Sequence, residues 1–467
     1  MSAERSIKRL ASLQVVGKIF SLAAQLLTLA ALTRVFGTAD FGAFATGWAL
    51  MLITAAVGEF GIPTATILEL STDEPRVVQP AALGATILTT GGSLIGGVFI
   101  AVVLLDGLAL ATALALVPWM LLGRLRALGQ AFAQASHQVQ RIVHADLAVR
   151  TITLGGAIVA LTSDMSAGGR VVVIALAMSI GEVVGLFIAW DHRPRTIDVV
   201  AGFDLIRSHR HLGLVGSSSA AHARADQVMF GTFRANAAGG IYALAYRLID
   251  AALAVVVAAA APLLPILGSA DPDLRRTISR SATAIAGSFA LVVGALIFIS
   301  AEGIVLVMAG EEFRDSIIVV RILVAVLVIS VINMPLSQLV IVQGATAELL
   351  RFSLIAAVAN ISLNLWLIPA YGASGAAAST LATELGGMIA VGVLVHRHHP
   401  GAVPVRTLAT STSLAALAAS IFLLLETEIA APVAAVAVLP LIAAVAMPIR
   451  EHISVFQHSP AHLVQER

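Results

Sequence analysis

Long apolar stretches recur along the whole chain, and charged residues or proline and glycine breaks separate them. A helix of about 20 apolar residues crosses the hydrocarbon core of a bilayer. The pattern therefore predicts an all-α polytopic membrane protein with about 14 transmembrane helices. The predicted spans lie near 11–36, 41–68, 80–105, 108–133, 142–162, 171–190, 212–233, 238–268, 281–300, 316–342, 349–369, 373–395, 406–425 and 429–448.

Composition supports a membrane protein and limits the kinds of site that we expect. The chain is 58% hydrophobic and 12% charged, with a mean hydropathy of +0.95, whereas about a quarter of the residues of a soluble domain are charged. The basic start "MSAERSIKRL" precedes an apolar run that Lys18 interrupts and no cleavage site closes, so we expect a retained span. Without cysteine, phosphate-binding loop, zinc helix or nucleophile elbow, we expect no catalytic residue, metal, cofactor or nucleic acid.

Basic residues concentrate in alternate connections between the predicted spans. With the N-terminus inside, the outer connections carry only Arg34, Arg170, Arg234 and Arg314, while the inner ones carry most of the remaining arginines. This asymmetry sets orientation in membranes. It predicts cytoplasmic N- and C-termini. The acids of the outer connections, Asp40, Asp106, Glu311 and Glu312, are expected to be solvated loop residues.

An internal repeat divides the chain. "ADFGAFATGW" (39–48) aligns with "AAGGIYALAY" (237–246) at a fixed offset of 198, which pairs Gly42 with Gly240. A parallel repeat of this kind predicts pseudo-equivalent lobes that enclose a site near mid-membrane. We expect six-helix lobes at 1–200 and 201–400 around a central cavity, and two further helices with a cytoplasmic tail at 401–467.

Charged residues inside the spans are candidates for function, because each costs at least a few kcal/mol unless it meets a partner or water. The bases are Lys18, Arg124, Arg126, Arg150, Arg224, Arg247 and Arg321, and the acids are Glu59, Asp146, Glu182, Asp226, Asp250 and Glu384. Lys18 belongs to a polar stripe on its helix, which indicates a wet cavity.

Helical spacing assigns partners to some of these charges. Asp146 with Arg150 and Arg247 with Asp250 are one turn apart and can neutralise each other. Arg224 and Asp226 lie about 200° apart around their helix, so each must find its partner on another helix or in water. Both a structural interhelix salt bridge and a substrate or ion role remain open for them. Asn360 and Asn364 are expected to bond neighbouring helices.

Several stretches resemble one family. "NISLNLWLIPAYGASGAAASTLATE" (360–384), the segment from Arg224 to Leu248, "RVFGTADFG" (34–42), "EFGIPTA" (59–65) and "GEEFRDSIIVVRIL" (310–323) resemble bacterial polysaccharide flippases. Phe36 and Thr38 stand where Leu and Pro are usual in that family. The chain is thus similar to the polysaccharide-transporter (O-antigen and oligosaccharide flippase) branch of the multidrug/oligosaccharidyl-lipid/polysaccharide flippase superfamily.

The resemblance implies alternating access of a polyprenyl-pyrophosphate-linked oligosaccharide across the bacterial cytoplasmic membrane for surface polysaccharide biosynthesis. It also implies membrane lipids, H⁺ or Na⁺, polysaccharide polymerases and glycosyltransferases as partners. Guanidinium groups bind phosphate as bidentate donors and the lysine ammonium binds it as a point charge, so Lys18, Arg124, Arg224 and Arg321 are the candidate pyrophosphate ligands. Asp226 and Glu59 are the candidates for ion coupling.

Three alternatives remain at this point. A lipid II flippase would differ only in the headgroup carried, and a drug or cation exporter of the same superfamily should have an acid-rich cavity. An integral-membrane glycosyltransferase or polymerase needs an outer catalytic carboxylate on a substantial loop, and the outer connections here are short. We therefore expect a transporter and not an enzyme.

Overall fold

The computed structural model describes residues 2–70, 74–136, 138–190, 196–260, 263–398, 400–410 and 413. Throughout these ranges the chain is helical, joined by short turns and without a strand, which confirms the all-α prediction. Twelve of the predicted spans have helical counterparts here. The two predicted last spans, 406–425 and 429–448, lie almost entirely outside the described residues.

The helices follow one another closely along the chain. They are α1 (Ser2–Glu59), α2 (Ile62–Glu69), α3 (Pro75–Leu104), α4 (Gly107–Ala115), α5 (Val117–Ala135), α6 (Val139–Thr162), α7 (Ala167–Ala189), α8 (Val199–Ser208), α9 (Arg210–Thr232), α10 (Asn236–Ala260), α11 (Leu263–Ser269), α12 (Pro272–Ala309), α13 (Ser316–Val342) and α14 (Thr346–His398), with a 3-10 turn at Glu311–Phe313 before α13.

Two glycines let continuous helices hold two spans each. Gly37 in α1 has φ 67° and Gly372 in α14 has φ 57°, conformations that break the helix and that side chains rarely adopt. Nine helical segments of the described residues are long and apolar enough to cross a membrane, and Phe20–Glu69 and Ala347–His398 are long enough for two crossings each. The protein is therefore a multi-pass membrane protein.

Packing divides the chain into two units. The first unit comprises residues 1–244 and 308–313, and the second comprises 245–307 and 314–467. The boundary falls inside α10, whereas the predicted lobes meet after residue 200, which lies inside α8. The polar helix α9 packs against α1 in the first unit, where Thr46 Oγ1 donates to the carbonyl of Gln227 at 3.1 Å.

The predicted repeat has a structural counterpart within the first unit. A Cβ placed on Gly42 would lie 1.8 Å from the Asn236 carbonyl oxygen, and one on Gly240 would lie 2.0 Å from that of Thr38. Thr38 and Asn236 are themselves related by the offset of 198. The contact is therefore reciprocal, as a two-fold axis between equivalent residues requires, and this supports the pairing of Gly42 with Gly240.

Aromatic side chains fill the space beside this crossing. Phe36 stacks on Phe44 with ring centroids 5.3 Å apart, and Phe41 meets Phe313 edge to face at 6.0 Å. On the other helix pair, Phe230 of α9 packs on Tyr242 of α10 at 5.5 Å. These offset and edge-to-face arrangements are the favoured ones for aromatic pairs, so they hold the helices at this spacing.

Two acids of the predicted outer connections have defined partners in the first unit. Glu312 Oε1 accepts from the Thr38 backbone N–H at 2.7 Å and from Thr38 Oγ1 at 3.0 Å, and so caps the helix that restarts after Gly37. Asp106 pairs with Arg234 at 3.4 Å. Glu312 is exposed, as expected of a solvated loop residue, but it also caps a helix N-terminus whose free N–H groups lie next to it.

Candidate functional site

Glu59 lies at a break in the membrane helix. Phe60 (φ 43°) and Gly61 (φ 69°) both adopt left-handed backbone conformations, which end α1 at Glu59 inside the predicted span 41–68. Pro63 stands in the first turn of α2, where its missing N–H costs nothing. Thr89 Oγ1 of α3 donates to the Gly58 carbonyl at 2.7 Å and satisfies one of the groups that the break frees.

The break presents Glu59 to Arg124. Arg124 Nη1 on α5 donates to Glu59 Oε2 in an ion pair between the two helices. The Arg124 side chain is 19% exposed and that of Glu59 41%, so the pair is accessible rather than sealed in packing. Thus the structure brings together a candidate pyrophosphate ligand and a candidate coupling acid that the sequence treated separately.

A second cluster surrounds Arg126, two residues further along α5. Its Nε donates to Glu182 Oε2 of α7 at 2.5 Å and its Nη1 to Asp146 Oδ1 of α6 at 2.8 Å. Gln130, one turn later on α5, donates to the same Asp146 oxygen at 2.9 Å. The Glu182 side chain is only 4% exposed. One guanidinium therefore ties three helices together.

Sequence reasoning missed this arrangement. It predicted that Asp146 and Arg150 neutralise each other from i,i+4 spacing, and the two charges do interact, but the hydrogen bonds to Asp146 Oδ1 come from Arg126 and Gln130 on another helix. The available signal was the one-turn spacing of Arg126 and Gln130, which sets two donors on the same face of α5.

Asp226 of α9 is buried, with 2% exposure. Its Oδ2 accepts from the Tyr242 hydroxyl of α10, and its Oδ1 accepts from the Gln227 N–H at 2.7 Å. The prediction that Asp226 must find a partner on another helix is confirmed. Arg224, two residues earlier, is half-buried on the same helix.

Polar groups of the second unit make different contacts. The Arg321 guanidinium of α13 lies 5.3 Å from the Phe298 ring centroid of α12, and its Nε donates to the Phe298 carbonyl at 3.4 Å. Ser330 Oγ donates to Glu384 Oε2 at 3.4 Å. Arg321 is half-buried.

The predicted bonding to a neighbouring helix is confirmed for Asn360, whereas the bond of Asn364 lies within its own helix. Asn364 Nδ2 donates to Asn360 Oδ1 at 2.9 Å, and Asn360 Nδ2 donates across the Gly372 break to Thr383 Oγ1 at 3.3 Å. The Ser379 hydroxyl donates to the Asn360 carbonyl at 3.2 Å. Asn360 thus joins the two halves of α14, and Asn364 bonds it from one turn later on the same half.

The predicted site residues lie on several different helices. Glu59 and Arg124 meet, Asp226 and Arg224 share α9, and Arg321 lies on α13 of the second unit. Lys18 lies on α1, but its side chain is outside the described part of the structure. Convergence of Lys18, Arg124, Arg224 and Arg321 on one ligand stays a prediction.

Many membrane helices, two of them broken at glycines, with paired charges on several, define a polytopic membrane protein. The chain belongs to the family described as "Polysaccharide biosynthesis protein", whose sequence model matches residues 9–270. A search of curated proteins gives no match.

Solved structures share the fold across nearly the whole chain. A "Lipid II flippase MurJ, inward closed conformation" matches with a TM-score of 0.77 at 11% identity, covering 95% of this chain and 99% of that one. An inward-facing "multidrug resistance MATE family transporter of the MOP superfamily" matches at 0.62 and 16%, covering 88% and 100%. A MOP superfamily transporter from Pyrococcus furiosus, titled as having a binding pocket of reverse polarity, matches at 0.51 and 15%, covering 89% and 96%.

Proposed function

We propose that this protein is a flippase that carries a polyprenyl-pyrophosphate-linked oligosaccharide across the bacterial cytoplasmic membrane by alternating access. Family membership in polysaccharide biosynthesis and the shared transporter fold support this proposal. The positive-inside distribution supports cytoplasmic termini. In this view the protein does no covalent chemistry and serves surface polysaccharide synthesis.

The accessible Arg124–Glu59 pair is the observation that carries the proposal. A guanidinium offers the same bidentate donors to a phosphate as to a carboxylate. The pyrophosphate of the cargo can therefore replace Glu59 as the partner of Arg124, because both side chains are partly exposed. Glu59, released from its counter-ion, is then the group that takes up H⁺ or Na⁺.

The same reasoning separates the two coupling candidates. Asp226 is almost completely buried and holds the Tyr242 hydroxyl, so an ion reaches it less easily than it reaches Glu59. We assign coupling to Glu59 and a structural role to Asp226. Lys18, Arg224 and Arg321 remain the proposed additional donors to the pyrophosphate.

The test is transport by the purified protein in proteoliposomes loaded with polyprenyl-pyrophosphate-linked oligosaccharide. Exposure of the sugar on the opposite leaflet is followed with a membrane-impermeant lectin. Arg124→Gln should lower the rate at least about tenfold, as expected when a charge-assisted contact worth about 1.5–3 kcal/mol is lost. Glu59→Gln should strengthen binding of the cargo and abolish the dependence of transport on an ion gradient.

Arg314→Gln is the matched control, since Arg314 forms an exposed ion pair with Glu302 at 2.7 Å outside the predicted site. It should transport at the normal rate. In cells, deletion of the gene should leave lipid-linked oligosaccharide on the cytoplasmic leaflet. Full activity of Arg124→Gln would remove Arg124 from the site, and transport of lipid II or of organic cations alone would reject the proposed cargo.

A further inference from the structure

Helix α8 has one face packed on protein and one exposed apolar face. Gly202 lies against α3 so closely that a Cβ there would be 2.5 Å from the Ala85 nitrogen. The Asp198 N–H donates to the Pro80 carbonyl of α3 at 3.1 Å. On the opposite side, Val200 is 76% exposed and Phe203 60%.

The position of this contact along α3 indicates its depth in the membrane. Pro80 and Ala85 belong to the first turns of α3, which begins at Pro75, at the end predicted to be cytoplasmic. Further along the same helix, Ile95 and Phe99 are 76% and 68% exposed, as expected of a surface that faces lipid. Because α8 packs on the first turns of α3, its exposed apolar face continues the lipid-facing surface of α3 at the level of the headgroups.

Basic side chains follow directly after this apolar face. Arg207, Arg210 and His211 line an open recess of about 440 Å³ together with Asp204 and Ser208. Arg207, Arg210 and His211 are exposed. His209 lies 3.7 Å from Glu69 of α2, which helps to anchor the turn between α8 and α9 to the rest of the first unit.

We propose that α8 and this recess form an interfacial docking surface for an anionic phospholipid of the cytoplasmic leaflet. Val200 and Phe203 enter the acyl-chain boundary, as the apolar face of an interfacial helix does. The arginines reach the phosphate of the headgroup, with their aliphatic stems along the apolar surface. The exposed apolar groups lie beside the basic groups and at the membrane depth of the first turns of α3. This arrangement favours a lipid over a soluble protein partner, because a soluble partner would not require that depth.

The first experiment measures the depth of α8. The chain contains no cysteine, so Val200→Cys can carry a single nitroxide label in phosphatidylcholine vesicles. Its relaxation by oxygen and by a polar reagent should lie between that of a deeper label at Ile95→Cys, on the lipid-facing surface of α3, and that of a label in water. A label at Glu74→Cys, the exposed cap of α3, should instead resemble water. A water-like label at residue 200 would overturn the proposal.

The second experiment measures headgroup preference. Full-length protein is equilibrated with mixed micelles of phosphatidylglycerol and phosphatidylcholine, and the bound lipids are counted by native mass spectrometry. A basic residue near an anionic surface contributes about a fivefold preference, so Arg207→Gln/Arg210→Gln should lower the phosphatidylglycerol preference roughly twentyfold. Arg314→Gln should leave it unchanged.

The outcomes distinguish this surface from the transport site. Loss of phosphatidylglycerol preference with cargo binding preserved supports the proposal, whatever the result for Arg124→Gln. An unchanged lipid preference together with loss of cargo binding would mean that the recess binds the cargo, and would overturn it. Equal binding of both phospholipids by the unmodified protein would also overturn it.

Discussion

Several of the described polar groups in the membrane helices of the two units are held by different means. In the first unit, Arg124 and Arg126 meet carboxylates on other helices. In the second, Arg321 lies over an aromatic ring and Asn360 and Asn364 bond hydroxyls and amides. Removing one partner of a charge pair leaves an uncompensated ion, whereas removing one neutral group leaves only an unmade hydrogen bond. The units should therefore respond very differently to equivalent substitutions.

Arg126→Leu should have the largest effect on stability. It leaves the buried Glu182 carboxylate and Asp146 without their shared guanidinium, and losing one member of a buried pair costs about 3–5 kcal/mol. The free energy of unfolding of the purified protein in detergent measures this cost.

Arg126→Leu/Glu182→Leu separates the charge effect from packing, because an apolar pair replaces a buried ion pair at little cost. Its stability should recover most of the loss. If the double variant is as unstable as the single one, the unpaired Glu182 is not the cause. Arg314→Gln, which removes an exposed pair, should change stability by only about 0–1 kcal/mol.

Gly42→Ala should also lower the free energy of unfolding, but by less than Arg126→Leu does. The new Cβ would lie 1.8 Å from a backbone oxygen of α10, so the helices must separate, and such overpacking costs about 1–3 kcal/mol. Gly91→Ala on α3 is the matched control, because nothing lies within 4 Å of its Cβ position. It should stabilise by about 0.5–1 kcal/mol through helix propensity. Equal effects of the two substitutions would show that Gly42 is not at a close crossing.

The fold was predictable to a large extent because hydrophobic length is a local property of the sequence. Apolar runs located twelve spans, and the short motif around Gly42 and Gly240 located a reciprocal contact. By contrast, the break at Gly61 lay unrecognised inside one predicted span, because left-handed conformations at Phe60 and Gly61 have no hydropathy signal.

The candidate site was less predictable, because the partners of its charged side chains come from distant parts of the chain. The helix-bonding role of Asn360 was expected from its residue type in a membrane helix, and the bond that Asn364 makes to it is local, one turn away on the same helix. The partners of Arg124 and Arg126 lie on α1, α6 and α7, and only tertiary packing selects them. Periodicity gives the face of a helix but not the helix that it meets.

Tyr242→Phe removes one hydrogen bond to a charged group without changing shape. Asp226 would keep the Gln227 N–H but lose the hydroxyl of α10. Hydrogen bonds to charged groups contribute about 1.5–3 kcal/mol, so unfolding should become easier by about that amount. The double variant Tyr242→Phe/Asp226→Asn, compared with Asp226→Asn alone, tests the role of charge. If removing the hydroxyl costs as much beside the neutral amide as beside the native carboxylate, the charge of Asp226 is not the source of the loss.

Asn364→Leu provides the corresponding change in the second unit and should have the smallest effect. It too is nearly isosteric and removes one hydrogen bond, from Asn364 Nδ2 to Asn360 Oδ1. Here both groups are neutral and lie one turn apart on the same helix, and even interhelical hydrogen bonds in membrane proteins average only about 0.6 kcal/mol. Asn360 also retains Ser379 and Thr383, so the two halves of α14 stay joined. The unfolding free energy should fall by about 0.6 kcal/mol, well below the loss from Tyr242→Phe. Equal losses from the two substitutions would mean that charge does not distinguish the polar groups of the two units.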